Sequence, residues 1–168
     1  MIPLSSMAMA TPPDVRWRAK NLRIRLVSVA AKSDDNGTFK EVIATVASRG
    51  KTSHSCILRL YYGGGNATDS LAWVSCDCEY FKYTLVVALA VLGSSSGGAG
   101  GYPKKKNPSL SPHLCKHIFA LIPLVTRIEP MVIKTGAATG IRLPVLPDHL
   151  NRLMVKNTPK TGGPHHKD

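Results

Sequence analysis

Two short pairs, Cys76-Asp77-Cys78 and Cys115-Lys116-His117, constrain the fold more than any other feature of the chain. Three thiolates and one imidazole are the ligand set that zinc accepts in a closed, tetrahedral structural site. A fold that uses them must bring two segments with 36 residues between Cys78 and Cys115 to one point. Local geometry adds two demands. On a straight strand, residues i and i+2 point to the same side but stand two rises apart, so the chain must turn at Asp77 for both sulfurs to reach one ion. On a helix, Cys115 and His117 would stand about 200° apart. Cys115 must therefore lie at the frayed start of the helix that carries His117, and Pro112 upstream favours a helix opening nearby.

Periodicity upstream of the first pair reads as an antiparallel meander. Leu22, Ile24, Leu26 and Ser28 alternate with Arg23, Arg25 and Val27, as expected of a strand with one solvated face. Residues 32–37 (KSDDNG) form a turn in which Asn36-Gly37 is expected to supply the positive φ angles of a tight hairpin. Phe39 to Ala47 alternates again, residues 48–53 turn, and Ser55 to Tyr62 places Cys56, Leu58 and Leu60 on one side. Residues 63–66 end that strand, and Leu71 to Ser75 is a fourth strand that runs straight into Cys76. Glu79 to Leu92 has no turn residue over fourteen positions and reads as a helix, although its β-branched residues leave strand as the alternative. A glycine-serine loop over 93–101 follows, then Ser111-Pro112 as cap and first turn of a short helix from His113 to about Leu121, which Pro123 discourages from continuing.

The fold class implied is α+β: a small antiparallel β-meander followed by two short helices around a structural zinc site, with extended N- and C-terminal arms. Residues 1–20, with three prolines and no clear period, form the N-terminal arm; 21–125 form the zinc-binding domain; 126–168 form an extended basic C-terminal arm, with one or two helical turns over 148–155.

Composition narrows the function. The net charge of +12 favours a polyanion or an acidic protein surface as partner, or simply a solvated surface with basic arms. The longest apolar run, Leu85 to Leu92, is eight residues, against about 20 for a membrane-spanning helix, so no membrane span is expected. Met1 to Pro13 lacks the basic start and apolar stretch of a signal peptide, so four cysteines point to metal or free thiols before disulfides. Neither Gly63-Gly64-Gly65 nor the 93–101 loop carries the lysine and hydroxyl of a phosphate-binding loop, and Asp34-Asp35 sits in a turn. No enzyme activity and no small-molecule substrate are expected.

Cys-x-Cys followed after a spacer by Cys-x-His resembles the SWIM-type zinc finger, whose strands, Cys-x-Cys turn and helix with Cys-x-His match residues 71–122. Residues 74–83 (VSCDCEYFKY) and 107–121 (NPSLSPHLCKHIFAL) also resemble short virion-associated proteins of tailed bacteriophages, over roughly residues 70–125. That resemblance implies a zinc-stabilised structural component of a phage particle, in tail, baseplate, neck or head, assembled in the host cytoplasm and held by other virion structural proteins. A nucleic-acid-binding module is the alternative, and an iron–sulfur or redox protein a third.

Other residues have plainer readings beside sharper ones. Cys56 is expected as a core cysteine; as a fourth thiolate of an iron–sulfur site it would leave His117 unexplained. His54 and His113 lack the ligand spacing, and His165-His166 read as a solvated tail. Tyr80, Phe81 and Tyr83 are expected to pack around the metal; stacking on bases is the sharper alternative.

Overall fold

The structure, a computed structural model, describes residues 1–47, 52–61, 67–96 and 107–133, with side chains described as far as Arg127. In chain order the elements are β1 (Ile2–Pro3), α1 (Leu4–Ala10), α2 (Pro13–Ala19), β2 (Arg23–Asp34), β3 (Gly37–Ala47), β4 (Ser53–Tyr61), β5 (Leu71–Cys76), α3 (Val86–Val91) and α4 (Lys116–Ile133). The strands form one antiparallel sheet in the order β1-β5-β4-β3-β2. This is an α+β architecture. Residues 62–66, most of the 48–53 and 93–101 segments, and the expected 148–155 helical turns lie outside the described residues.

The meander β2 to β5 forms because each strand alternates. Val42, Ala44 and Val46 of β3, Cys56, Leu58 and Leu60 of β4, and Ala72, Val74 and Cys76 of β5 all point to one buried face. Strand β2 departs from its expected pattern. A bulge between Leu26 and Ser28 flips the alternation, so Val29, paired with Val42, packs on the core in place of Ser28, and Val27 is left exposed. At the β2–β3 turn only Gly37 has positive φ, at 119°; Asn36 does not. Its backbone N–H instead donates to the Asp34 carboxylate, a local Asx-type bond that shapes the turn.

Residues 1–20 are not an extended arm. Ile2 and Pro3 pair with Ala72 and Leu71 on the outer edge of β5, and the Leu4 amide donates to Ser70. Helix α1 buries Leu4 and Met7, each with no exposed surface, and α2 buries Val15 and Ala19. Proline marks the start of the second helix: Pro12 precedes α2 and Pro13 occupies its first turn, where a missing N–H costs nothing. The 126–168 arm is likewise shorter than expected, because α4 continues through Pro123 to Ile133. Pro123 faces solvent, while Ile118, Leu121 and Val125 form the buried stripe. Burial of Leu124 and Val125 beyond it, on the order of 1.5–3 kcal/mol for a fully buried side chain, offsets the lost helix bond of about 3 kcal/mol. Among the described residues no helix is long and apolar enough to cross a membrane.

The second sheet face holds a polar-aromatic cluster. Arg59 lies over the Phe39 ring at 5.1 Å and the Trp73 ring at 4.6 Å, and its Nε donates to Glu41 at 2.8 Å. Lys32 bonds the other Glu41 oxygen. Burial raises the Glu41 pKa, but Lys32 and Arg59 together hold it below its ordinary value of 4.5. A carboxyl with a depressed folded pKa binds fewer protons folded than unfolded, so its stabilisation is present above about pH 4.5 and lost as pH falls through the folded value. Glu41→Gln is expected to cost about 1–3 kcal/mol at neutral pH and to flatten the acid limb of a stability-versus-pH curve measured by urea unfolding.

Candidate metal centre

Strand β5 delivers Cys76 at its last position, with its side chain on the buried face opposite Cys56. The chain bends at Asp77–Cys78 and enters a helical segment, whose first bond runs from the Lys82 amide to the Cys78 carbonyl. The turn demanded by Cys-x-Cys is thus present. The segment opens with a π-turn over Phe81–Leu85, in which the Val86 N–H donates to Phe81, before α3 proper. Its extra residue rotates the helix, so Phe81, Leu85 and Leu89 face the core while Tyr83 is exposed. The reading as helix over 79–92 holds; of its β-branched residues Thr84 lies in this wider turn, and Val86, Val87 and Val91 lie in the regular helix after it.

At the other end, α4 begins at Lys116 and its first bond runs from the Phe119 amide to the Cys115 carbonyl. Cys115 is therefore the residue preceding the helix, free of the helical angle that would separate it from His117. Residues 111–115 are not helical, so Ser111 is no cap; the helix starts at Lys116, three positions later than the expected His113. What occupies that stretch is a turn built on buried Asn107. Its amide nitrogen donates to the Thr84 and Ser111 carbonyls, and its oxygen accepts from the Ser111 amide. Thr11 completes the support: its hydroxyl donates to the Met7 carbonyl and accepts from the Leu114 amide at 3.0 Å. Asn107 and Thr11 are positioning residues that periodicity did not reveal. A buried hydroxyl or amide joining distant segments leaves no trace in spacing.

The outcome is that Cys76, Cys78, Cys115 and His117, all buried, place their ligand atoms within 4.8 Å of one another. Cys76 Sγ and His117 Nδ1 are 3.8 Å apart. Zinc–sulfur and zinc–nitrogen bonds of about 2.3 and 2.0–2.1 Å at tetrahedral angles separate ligands by about 3.5–3.8 Å, so the cluster has the dimensions of a four-coordinate site. The other ring nitrogen, His117 Nε2, is buried without a hydrogen-bond partner among the described residues. The backbone amide of Phe81 donates to Cys78 Sγ at 3.4 Å, a contact that stabilises a thiolate ligand.

Electrostatics of the bare cluster point the same way. Hydrogen bonds from Cys115, Cys56 and Cys78 hold Cys76 strongly toward the thiolate. Cys78, although a bond from Cys115 pulls it down, is pushed up to about 12 by Cys76 and by burial. Burial raises Cys115 far above the ordinary thiol range. Without a cation the pocket favours one thiolate among raised thiols; a divalent ion would offset two of the three negative charges that full deprotonation creates.

The remaining sequence candidates fall outside the ligand set. His54 stacks on His117, with ring centroids 4.3 Å apart, and its Nδ1 contacts the Asp77 carboxylate at 2.9 Å, so it covers the site. His113 Nδ1 donates to the Ser111 carbonyl at 3.0 Å, and its Nε2 lies 2.9 Å from Tyr80 Oη; burial lowers its pKa. Cys56 is a fully buried core residue, as expected, yet its Sγ lies 3.7 Å from Cys76 Sγ. Phe81 packs in the core and Tyr80 against it. No protein-family model, curated protein or solved structure matches the chain. The group that could hold a metal ion therefore stands on its own geometry.

Proposed function

We propose that the four residues hold a structural zinc ion and that the protein acts in assembly, as a structural component of a tailed-phage particle. The observation that carries the structural role is the closure of the site: four protein ligands, all buried, leave no open coordination position for substrate or water. Zinc fits three sulfurs and one imidazole better than magnesium or calcium, which take oxygen ligands. The metal would fasten β5, the helical segment after it and α4 into one unit, and catalysis is not part of this reading. The phage assignment is supported by the resemblance over roughly residues 70–125, and the charge of +12 suits docking on acidic neighbours in tail, baseplate, neck or head.

A nucleic-acid-binding role is the second reading. It is favoured by the exposed Arg23 and Arg25 of β2 and by Trp17, 62% exposed between Arg16 and Arg18. One comparison separates the two. Particles purified from a lysate on a density gradient are probed for the chain by quantitative mass spectrometry, and the isolated protein is titrated with DNA at increasing salt. A fixed number of copies per particle, with only weak DNA binding, is the expected result. A chain absent from particles that binds DNA with a steep salt dependence would replace the first reading by the second.

A further inference from the structure

Cys56 is the one thiol that the metal site does not use, and its position is specific. It stands directly across from Cys76 in the β4–β5 register, and both side chains point to the buried face. The Asp77 amide bonds to the Ser55 carbonyl, which makes 56/76 the neighbouring pair of the close type, with Cα atoms about 4.5 Å apart. That lies inside the Cα range of about 4.4–6.8 Å that a disulfide spans. The sulfurs are already 3.7 Å apart, so bond formation needs side-chain rotation and no strand displacement. No other thiol is paired with Cys56 by this register.

An open cavity of about 280 Å³ reaches Cys76 beside Ser55, Ser75, Asp77, Lys82 and Ser96. The Cys56 and Cys76 side chains themselves face the buried side of the sheet, so a reagent as small as a peroxide suits this approach.

We infer that Cys56 and Cys76 form an oxidation site, in which a peroxide converts the pair to a disulfide and withdraws one ligand from the metal centre. The Cys76 sulfur attacks hydrogen peroxide: an S–O bond forms, the O–O bond breaks, and hydroxide leaves, the sulfur being oxidised and the peroxide reduced. The Cys56 thiol then attacks the Cys76 sulfenic sulfur. The S–S bond forms, the S–O bond breaks, and the departing hydroxyl leaves as water with the Cys56 proton. Cys78, Cys115 and His117 remain, one ligand short of a closed site. The cross-link itself needs no metal; only the release arm rests on the zinc reading.

The test treats the full chain, loaded with zinc, with hydrogen peroxide, then maps disulfides by peptide mass spectrometry while a chromogenic chelator reports free zinc. The expected result is a Cys56–Cys76 peptide pair appearing together with zinc release, both reversed by a thiol reductant and added zinc. Cys56→Ala and the better-filling Cys56→Val keep all four candidate ligands and are expected to hold one zinc per chain before oxidation. After peroxide they should form no cross-link and carry irreversible sulfinic or sulfonic acid at Cys76. A cross-link joining any other pair, or Cys56 still a free thiol after Cys76 has oxidised, overturns the proposal. A Cys56–Cys76 cross-link in protein that never bound zinc would uphold the oxidation site and refute the zinc reading.

Discussion

Removal of metal by a strong chelator at neutral pH is expected to abolish the cooperative thermal transition of the protein. The magnitude follows from two scales. Zinc in small finger peptides contributes on the order of 10–16 kcal/mol, whereas the net stability of a whole domain is about 5–15 kcal/mol. The donors that it would join all lie in the core, so the metal-free state also keeps a thiolate among raised thiols. Cys115→Ser and His117→Ala should reproduce the effect, with metal content falling from one ion per chain toward none. Elemental analysis and circular dichroism melts, with and without chelator, check both. A sharp transition that chelation leaves in place would show that the sheet stands without the ion. Iron in place of zinc would redirect the site to the cluster chemistry set aside above.

The N-terminal segment is expected to be nearly as important. Leu4 and Met7 are fully buried in the same cluster as Val74, Leu85 and Ile118. Truncation of such side chains to alanine costs about 2–5 kcal/mol each. The pair shares neighbours, so the double variant need not equal the sum. Thr11→Val keeps the shape but removes the acceptor of the Leu114 amide, a loss of about 1–3 kcal/mol placed immediately before Cys115. Urea midpoints should fall in all three variants. Only Thr11→Val should also weaken zinc retention in a chelator competition by more than its stability loss explains. Unchanged midpoints would mean that residues 1–11 do not belong to the core.

Much of this molecule was legible in its sequence where chemistry repeats at short range. Alternation in Phe39–Ala47 and Ser55–Tyr62 located β3 and β4, and the paired spacings located the four buried residues that could hold a metal ion. The requirement that Cys115 precede its helix followed from the 3.6-residue period alone, and the structure meets it. What escaped was set by distant neighbours. Seven-residue helices such as α1 and α2 are too short to display a period, and they are stable because Leu4, Met7 and Val15 find a core. Pro123 reads locally as a stop, yet it lies on the solvent side of a helix whose other side is held by Leu121 and Val125. The bulge at Val27 shifts the face of everything after it, and nothing in residues 22–29 announces an extra residue. The Asn36-Gly37 turn was found, but only its glycine adopts the positive φ expected of both.

The bond between Thr11 and Leu114 joins residues 103 positions apart, and it sets a timetable for the newborn chain. At about 5–20 residues per second of synthesis, some 5–20 s separate the emergence of the two partners. Leu4 and Met7 therefore leave the ribosome long before α4 exists to receive them, and Cys76 and Cys78 wait for Cys115 and His117 with their sulfurs uncovered. The protein cannot complete itself piecemeal from its first residue. It closes only once α4 has emerged, and on the zinc reading proposed above the supply of metal at that moment decides between the finished fold and a chain with open thiols.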